Sequence, residues 1–379
     1  MRPHRGRLPW IVGVAILLLV SAAHAQVDPH KRTNLEAGIE APFRGNAPLD
    51  GYVFLYVNRP DFPSTDWYSR VIIAPTYVTG EIVRDFAGHA FGLGIDGGEF
   101  QNSVYDYRSG LLDKAESFQG GGAGATLSYY WRQLKIGGVV PVEGMLRFRP
   151  QYVSYDTGSE TSSNFALPGD TGIYAFRAGV RVGGMPPELF PKEALEVSAY
   201  HEARYRDSSG QFGLPNRQQF TDHFTQATWG RAGAILPVWL DHTISLFITG
   251  GVAEKSDTLS VFRLGGPFRF RAELPLVLHG YNINEVYAKS FGLINLSYRL
   301  QPIRELDWLG LQFSADYARV DFPSDHTLPH HNLPALGADI VAQMGKAGLL
   351  VLGYGYGFDA PRPRQSGAQE AHIMFEKKF

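Results

Sequence analysis

The side chains in this chain that could do chemistry are poorly placed for it. Gly92-Leu93-Gly94-Ile95-Asp96-Gly97 spells a dinucleotide fingerprint. That motif works only between a strand and a helix whose N-terminus receives the pyrophosphate. Here it sits inside an alternating, strand-like run. Ser198, His201 and Glu202 offer a nucleophile, a base and a carboxylate. On a strand His201 and Glu202 face opposite ways, so they cannot meet as a triad requires. His326, His330 and His331 could ligate a metal, but they fall in a stretch read as a solvated surface loop. No Gly-x-Ser-x-Gly elbow and no complete His-Glu-x-x-His motif occurs. The pattern therefore points to no catalytic residue, no cofactor and no metal. What remains is a set of recurring charges, Arg147, Arg149, Arg177, Arg181, Glu196 and Glu202, and a broken, semi-apolar stretch at 261–281.

The elements that must position these residues begin after an export signal. Arg2, Arg5 and Arg7 precede the apolar run Leu8–Val20, and Ala23-His24-Ala25 is a small-x-small cleavage site. Residues 1–25 are expected to be removed. No later apolar run reaches the ~20 residues of a spanning helix. The chain has 0 Cys, so export is not accompanied by a disulfide framework. Without the signal, 32 basic residues face 37 acidic ones, and this weak acidity argues against nucleic acid as a partner. Residues 26–50 read as a polar, periplasmic lead-in with one possible strand, Asn34–Phe43. It is too short to hold a core of its own. Residues 51–379 read as one β domain.

Within that domain the hydrophobic period is two. Leu309, Leu311, Phe313, Ala315 and Tyr317 oppose Gln312, Ser314 and Asp316. Tyr174, Phe176, Ala178, Val180 and Val182 oppose Arg177 and Arg181, and Leu350, Leu352, Tyr354, Tyr356 and Phe358 oppose Gly353, Gly355 and Gly357. Fourteen strands are predicted, near 51–58, 68–80, 88–99, 122–138, 144–156, 170–183, 193–207, 222–237, 242–254, 286–300, 308–321, 334–345, 348–359 and 369–379. Asn34–Phe43 and a strand within 100–121 would make sixteen. Short and long connections alternate, as in a barrel whose turns face one side and whose loops face the other. The fold class is thus all-β, a transmembrane antiparallel barrel of the outer membrane of a Gram-negative bacterium, with 14–16 strands by this count. One face of each strand meets outer-membrane lipid and the other a wet lumen lined by the six charges. Ala371, Ile373, Phe375 and the terminal Phe379 continue the apolar face. This ending resembles the closing strand of bacterial outer-membrane barrels, which implies recognition by the barrel-assembly machinery.

The stretch 255–285 falls between two strands and is too apolar for a solvated loop, so it is expected to fold back into the lumen. Phe262-Arg263-Leu264-Gly265-Gly266 followed by Leu278-His279-Gly280-Tyr281 resembles the barrel-entering loop of the BamA-like superfamily. That group comprises outer-membrane insertases and two-partner-secretion transporters and is also called the bacterial surface antigen family. Phe313-Ser314-Ala315-Asp316-Tyr317-Ala318-Arg319-Val320 resembles the family's inner-wall strand, whose Asp faces the loop tip, and five strands follow the loop as in the family. The likeness covers roughly 260–379. His279 stands where the family usually has Arg, Ala318 where Gly is usual, and the periplasmic peptide-binding domains of the insertases are missing. Family barrels have sixteen strands. The resemblance implies Phe313 and Asp316 as inner-wall partners of the tip and a His279–Asp316 contact, with Arg269 or Arg271 as substitutes for the absent Arg. It also implies translocation or insertion of a protein or lipid, with an unknown periplasmic or secreted partner. A passive porin for small solutes, or a lipid-acting barrel enzyme, is the alternative.

Overall fold

A computed structural model describes residues 30–43, 47–99, 104–239, 242–269, 274–303, 306, 308–345, 347–362 and 365–379. The expected signal, 1–25, lies outside the described residues, as does Arg271. The described residues contain twenty-one strands. In chain order they begin β1 (Arg32–Pro42), β2 (Asp50–Pro60), β3 (Trp67–Ile73), β4 (Tyr77–Phe86), β5 (His89–Glu99), β6 (Val104–Arg108), β7 (Leu111–Ile136) and β8 (Val140–Thr157). They continue with β9 (Thr171–Gly184), β10 (Ala194–Arg206), β11 (Gly210–Leu214), β12 (Arg217–Thr221), β13 (Phe224–Trp239), β14 (His242–Glu254) and β15 (Phe262–Leu264). The last are β16 (Val286–Ala288), β17 (Ser290–Leu300), β18 (Leu309–Asp321), β19 (Asn332–Met344), β20 (Gly348–Arg362) and β21 (Gln365–Lys378).

Sixteen of these close into an antiparallel barrel. The seam is β1 against β21, where Ala37 pairs with Phe375 on one side and with Val53 of β2 on the other. Closure removes every long sheet edge, which a lipid environment would leave without hydrogen-bond partners. The period of two sorts the side chains. Along β18, Gln312, Ser314, Asp316, Ala318 and Val320 are buried inward, and Phe313 and Tyr317 are exposed outward. On β5, Phe91, Leu93 and Ile95 are each more than half exposed, an apolar outer face suited to lipid. Among the described residues no helix is long and apolar enough to cross a membrane.

The strand offered at Asn34–Phe43 is present as β1, so the wall begins at Arg32. One strand expectation is corrected. The stretch read as one strand at 68–80 is β3 and the start of β4 around a turn at 74–76, closed by Ala74 N donating to Tyr77 O at 2.8 Å. The turn explains why that stretch does not alternate cleanly. The sixteenth strand therefore comes from this hairpin and not from 100–121. There, β6 pairs only with the outer part of β7, as a hairpin standing above the wall.

Two segments fold into the interior. The 255–289 loop enters from the end opposite the termini and carries the small β15–β16 ladder. Leu264, Leu278 and Tyr281 of this loop are fully buried against Leu293, Ala318 and Leu333 of the wall. From the terminal end, the connection after β9 also folds inward. Leu189 is buried beside Phe268 of the loop, its N–H donates to Glu376 at 2.8 Å, and Glu188 pairs with Lys378 at 2.9 Å.

Candidate functional site

Ordering a long loop costs roughly 1–2 kcal/mol per residue in backbone entropy. Its larger buried apolar side chains, Val261, Leu264, Phe268, Val277, Leu278, Tyr281, Ile283, Val286 and Tyr287, return roughly 1.5–3 kcal/mol each, less in sum than that cost. Apolar burial alone does not hold the loop, so its polar contacts matter. At the tip the His279 N–H donates to Asp316 Oδ2 at 3.0 Å, and the ring Nδ1 lies 2.6 Å from the same oxygen. Asn295 of β17 completes the carboxylate. Its Nδ2 donates to Asp316 Oδ1 at 2.7 Å and to the carbonyl of Val277 at 3.0 Å. One wall carboxylate thus accepts three hydrogen bonds and ties two strands to the loop. Burial acts to lower the His279 pKa, but the adjacent Asp316 carboxylate outweighs it, and the imidazole is pushed up to about 9. The pair is charge-assisted at neutral pH.

The wall is thinned to admit this tip. A Cβ on Gly337 of β19 would stand 2.7 Å from the His279 ring. Gly280 has φ +76° and its Cα faces the backbone of Tyr356 and Gly357 on β20, so a side chain there would meet both strain and main chain. Tyr281 lies flat over Gly357, where a Cβ would be 2.6 Å from its ring. Gly265 and Gly266 also take positive φ, at +131° and +81°, and turn the chain from β15 into the lumen.

The other loop residues act as staples. Arg263 lies 4.2 Å over the Tyr287 ring and donates to the carbonyl of Tyr105 at 3.2 Å. Phe262 packs edge-on against Phe291 at 5.0 Å. Phe268 meets Tyr52 of β2 at 4.9 Å, on the far side of the seam.

Three contacts escaped sequence reading. Glu285 and Arg362 form a bidentate pair at 2.6 and 2.8 Å, with side chains almost wholly buried. Arg206 pairs with Asp257 at the loop's base, also buried. His326 is buried and not solvated as expected: its Nε2 lies 2.6 Å from Asp106 and its ring stacks on Tyr287 at 4.1 Å. Only their position beside apolar neighbours could have flagged them.

Phe313 is corrected. It is 51% exposed on the outer face and cannot partner the tip, because it alternates with the inward Gln312 and Ser314. The six lumen charges point inward, and most of them meet partners outside the set. Arg149 pairs with Asp96 at 2.6 Å and Arg177 with Glu202 at 2.7 Å. Arg147 donates to the Tyr130 hydroxyl at 3.0 Å. Ser198 donates to Glu196 at 3.0 Å, and Arg181 is 3.9 Å from Glu143. His201 is exposed and Glu202 buried, on opposite faces. Phe375 faces outward on β21, and Phe379 is exposed, with its N–H on the carbonyl of Thr33 at 2.9 Å.

Solved structures share this arrangement of strands. CdiB from Acinetobacter baumannii superposes with a TM-score of 0.59 at 11% identity, covering 92% of this chain and 60% of that one. BamA from Haemophilus ducreyi lacking POTRA domains 1–3 gives 0.55 at 9% identity, covering 92% of this chain and 71% of that one. The fold is that of the BamA and CdiB barrels. CdiB from Escherichia coli agrees, with 0.53 at 9% identity and coverage of 92% and 63%. The chain thus spans less than two thirds of the length of either CdiB chain. No family model and no curated protein matches the sequence.

Proposed function

We propose that this chain is an outer-membrane barrel that translocates or inserts a protein or lipid, and that the 255–289 loop closes its lumen at rest. The observation that carries this reading is the loop tip, pinned through His279 to Asp316 in the middle of an inner-wall strand. The likeness to BamA and CdiB barrels supports the same class of function and an outer-membrane location. On this reading the outer apolar face meets outer-membrane lipid, β21 is the strand offered to the barrel-assembly machinery, and a periplasmic or secreted partner delivers the cargo. The test is the conductance of the refolded protein in a planar bilayer, with and without residues 262–282. Low, flickering conductance that becomes large and steady on deletion is expected. Large, steady conductance of the intact protein would move the assignment to a porin.

A further inference from the structure

A second interior feature does not belong to the loop tip. Between the β9–β10–β13 wall, the inward connection 185–191 and the flank of the 255–289 loop lies a cavity of about 550 Å³. Arg177, Arg181, Arg204, Arg231, Arg263 and Arg269 all line it, against Glu188 and Glu196. Several of these charges are satisfied. Glu202 holds Arg177 and Arg204, Tyr287 and two carbonyls hold Arg263, and Arg32 and Lys378 hold Glu188. Arg181 and Arg231 are different. Nε and Nη2 of Arg181 and Nε of Arg231 are buried without a hydrogen-bond partner among the described residues. The nearest carboxylate to Arg181 is Glu143 at 3.9 Å, beyond hydrogen-bond range. Arg231 rests 4.2 Å over the ring of Phe247, which orients its plane but satisfies no N–H. Arg269 is close enough to Arg231 for their charges to repel; Glu196 offsets Arg231, and Asp316 and Asp339 offset Arg269.

Buried guanidinium N–H groups left unpaired are costly, and a cation cluster in a low-dielectric wall is costlier. A fork of N–H donors matches the oxygens of phosphate or carboxylate, and arginine is the side chain suited to that recognition. We propose that this cavity is an oxyanion site, with Arg181, Arg231 and Arg269 receiving a phosphate group. The group belongs either to a soluble ligand or to the headgroup of an anionic lipid. Apolar residues of the same cavity, among them Met185, Leu189, Leu259 and Leu276, leave room for a non-polar part of the ligand. The site is complete only while the loop is docked, because Arg269, Leu259 and Leu276 belong to it; phosphate binding by the resting barrel needs no translocation, so the two readings fail separately.

The experiment is a calorimetric titration of the refolded full mature chain with inorganic phosphate, at low salt and neutral pH in zwitterionic detergent. Saturable one-to-one binding is expected, weakened at least tenfold in Arg181→Gln/Arg231→Gln. Arg149→Gln, whose guanidinium is held by Asp96 away from this cavity, should bind as the parent does. Arg231→Lys keeps the charge and loses the fork, and should weaken binding about threefold to tenfold. It also serves if the double variant does not refold. Repeating the titration in nanodiscs with phosphatidylglycerol separates the sources. Phosphate binding that disappears there assigns the site to a lipid headgroup, and binding that persists assigns it to a soluble oxyanion. No phosphate binding by the parent in detergent, or equal binding by the parent, the double variant and Arg231→Lys, overturns the proposal.

Discussion

Removing the Asp316 carboxylate is the sharpest perturbation of the loop tip. Asp316 is 5% exposed and accepts two hydrogen bonds from His279 and one from Asn295. A hydrogen bond to a charged group contributes roughly 1.5–3 kcal/mol, and truncating one member of a buried pair costs roughly 3–5 kcal/mol. The loop-docked state of Asp316→Ala should therefore lose about 3–5 kcal/mol relative to an undocked one. That moves the docking equilibrium by about two to three and a half powers of ten. Single-channel recording of the refolded barrel reads this directly as the fraction of time spent in large-conductance states. Asp316→Asn keeps the volume and one acceptor, and should fall between parent and alanine. His279→Ala should reproduce most of the Asp316→Ala effect, and the double variant should add little to either, because the two residues act as one contact. Strictly additive effects, or an open fraction unchanged by Asp316→Ala in a barrel shown to be folded, would refute the assignment of this pair as the loop's pin.

Further outcomes follow from the same geometry. The raised pKa of His279 means that the pair's contribution is complete below the unperturbed value of 6.5 and fades as pH climbs through about 9, so large-conductance events should become more frequent between those pH values. Glu285→Gln leaves Arg362 buried without its carboxylate and should increase loop opening by roughly 3–5 kcal/mol, read in the same recordings. Gly337→Ala places a methyl group against the His279 ring and should loosen the tip without altering barrel assembly, measured by the heat-shifted mobility of the folded band. Phe313→Arg, on the lipid face, should cost the barrel about 2–4 kcal/mol in denaturant unfolding and leave conductance unchanged. The opposite pattern would return Phe313 to the lumen.

Much of this protein is determined by local pattern. The period of two along β9, β18 and β20 places apolar side chains outward and polar or glycine residues inward, and that alternation is a property of consecutive residues. The aromatic end at Phe379 and the interrupted run 261–281 are local in the same way. Strand number was less legible. The turn at 74–76 joins two apolar strands of one hairpin, so the hydrophobic pattern runs on across it while the backbone reverses. Apart from His279 with Asp316, which the family resemblance implied, pairings across the lumen lay beyond sequence reasoning. Glu285 meets Arg362, His326 meets Asp106, and Glu188 meets Lys378, each pair far apart in the chain. These contacts exist only because closing β1 onto β21 brings distant strands around one interior. Alternation tells each residue which face it occupies. Only the closed barrel, through its register and the two segments folded into it, decides which inward residue meets which.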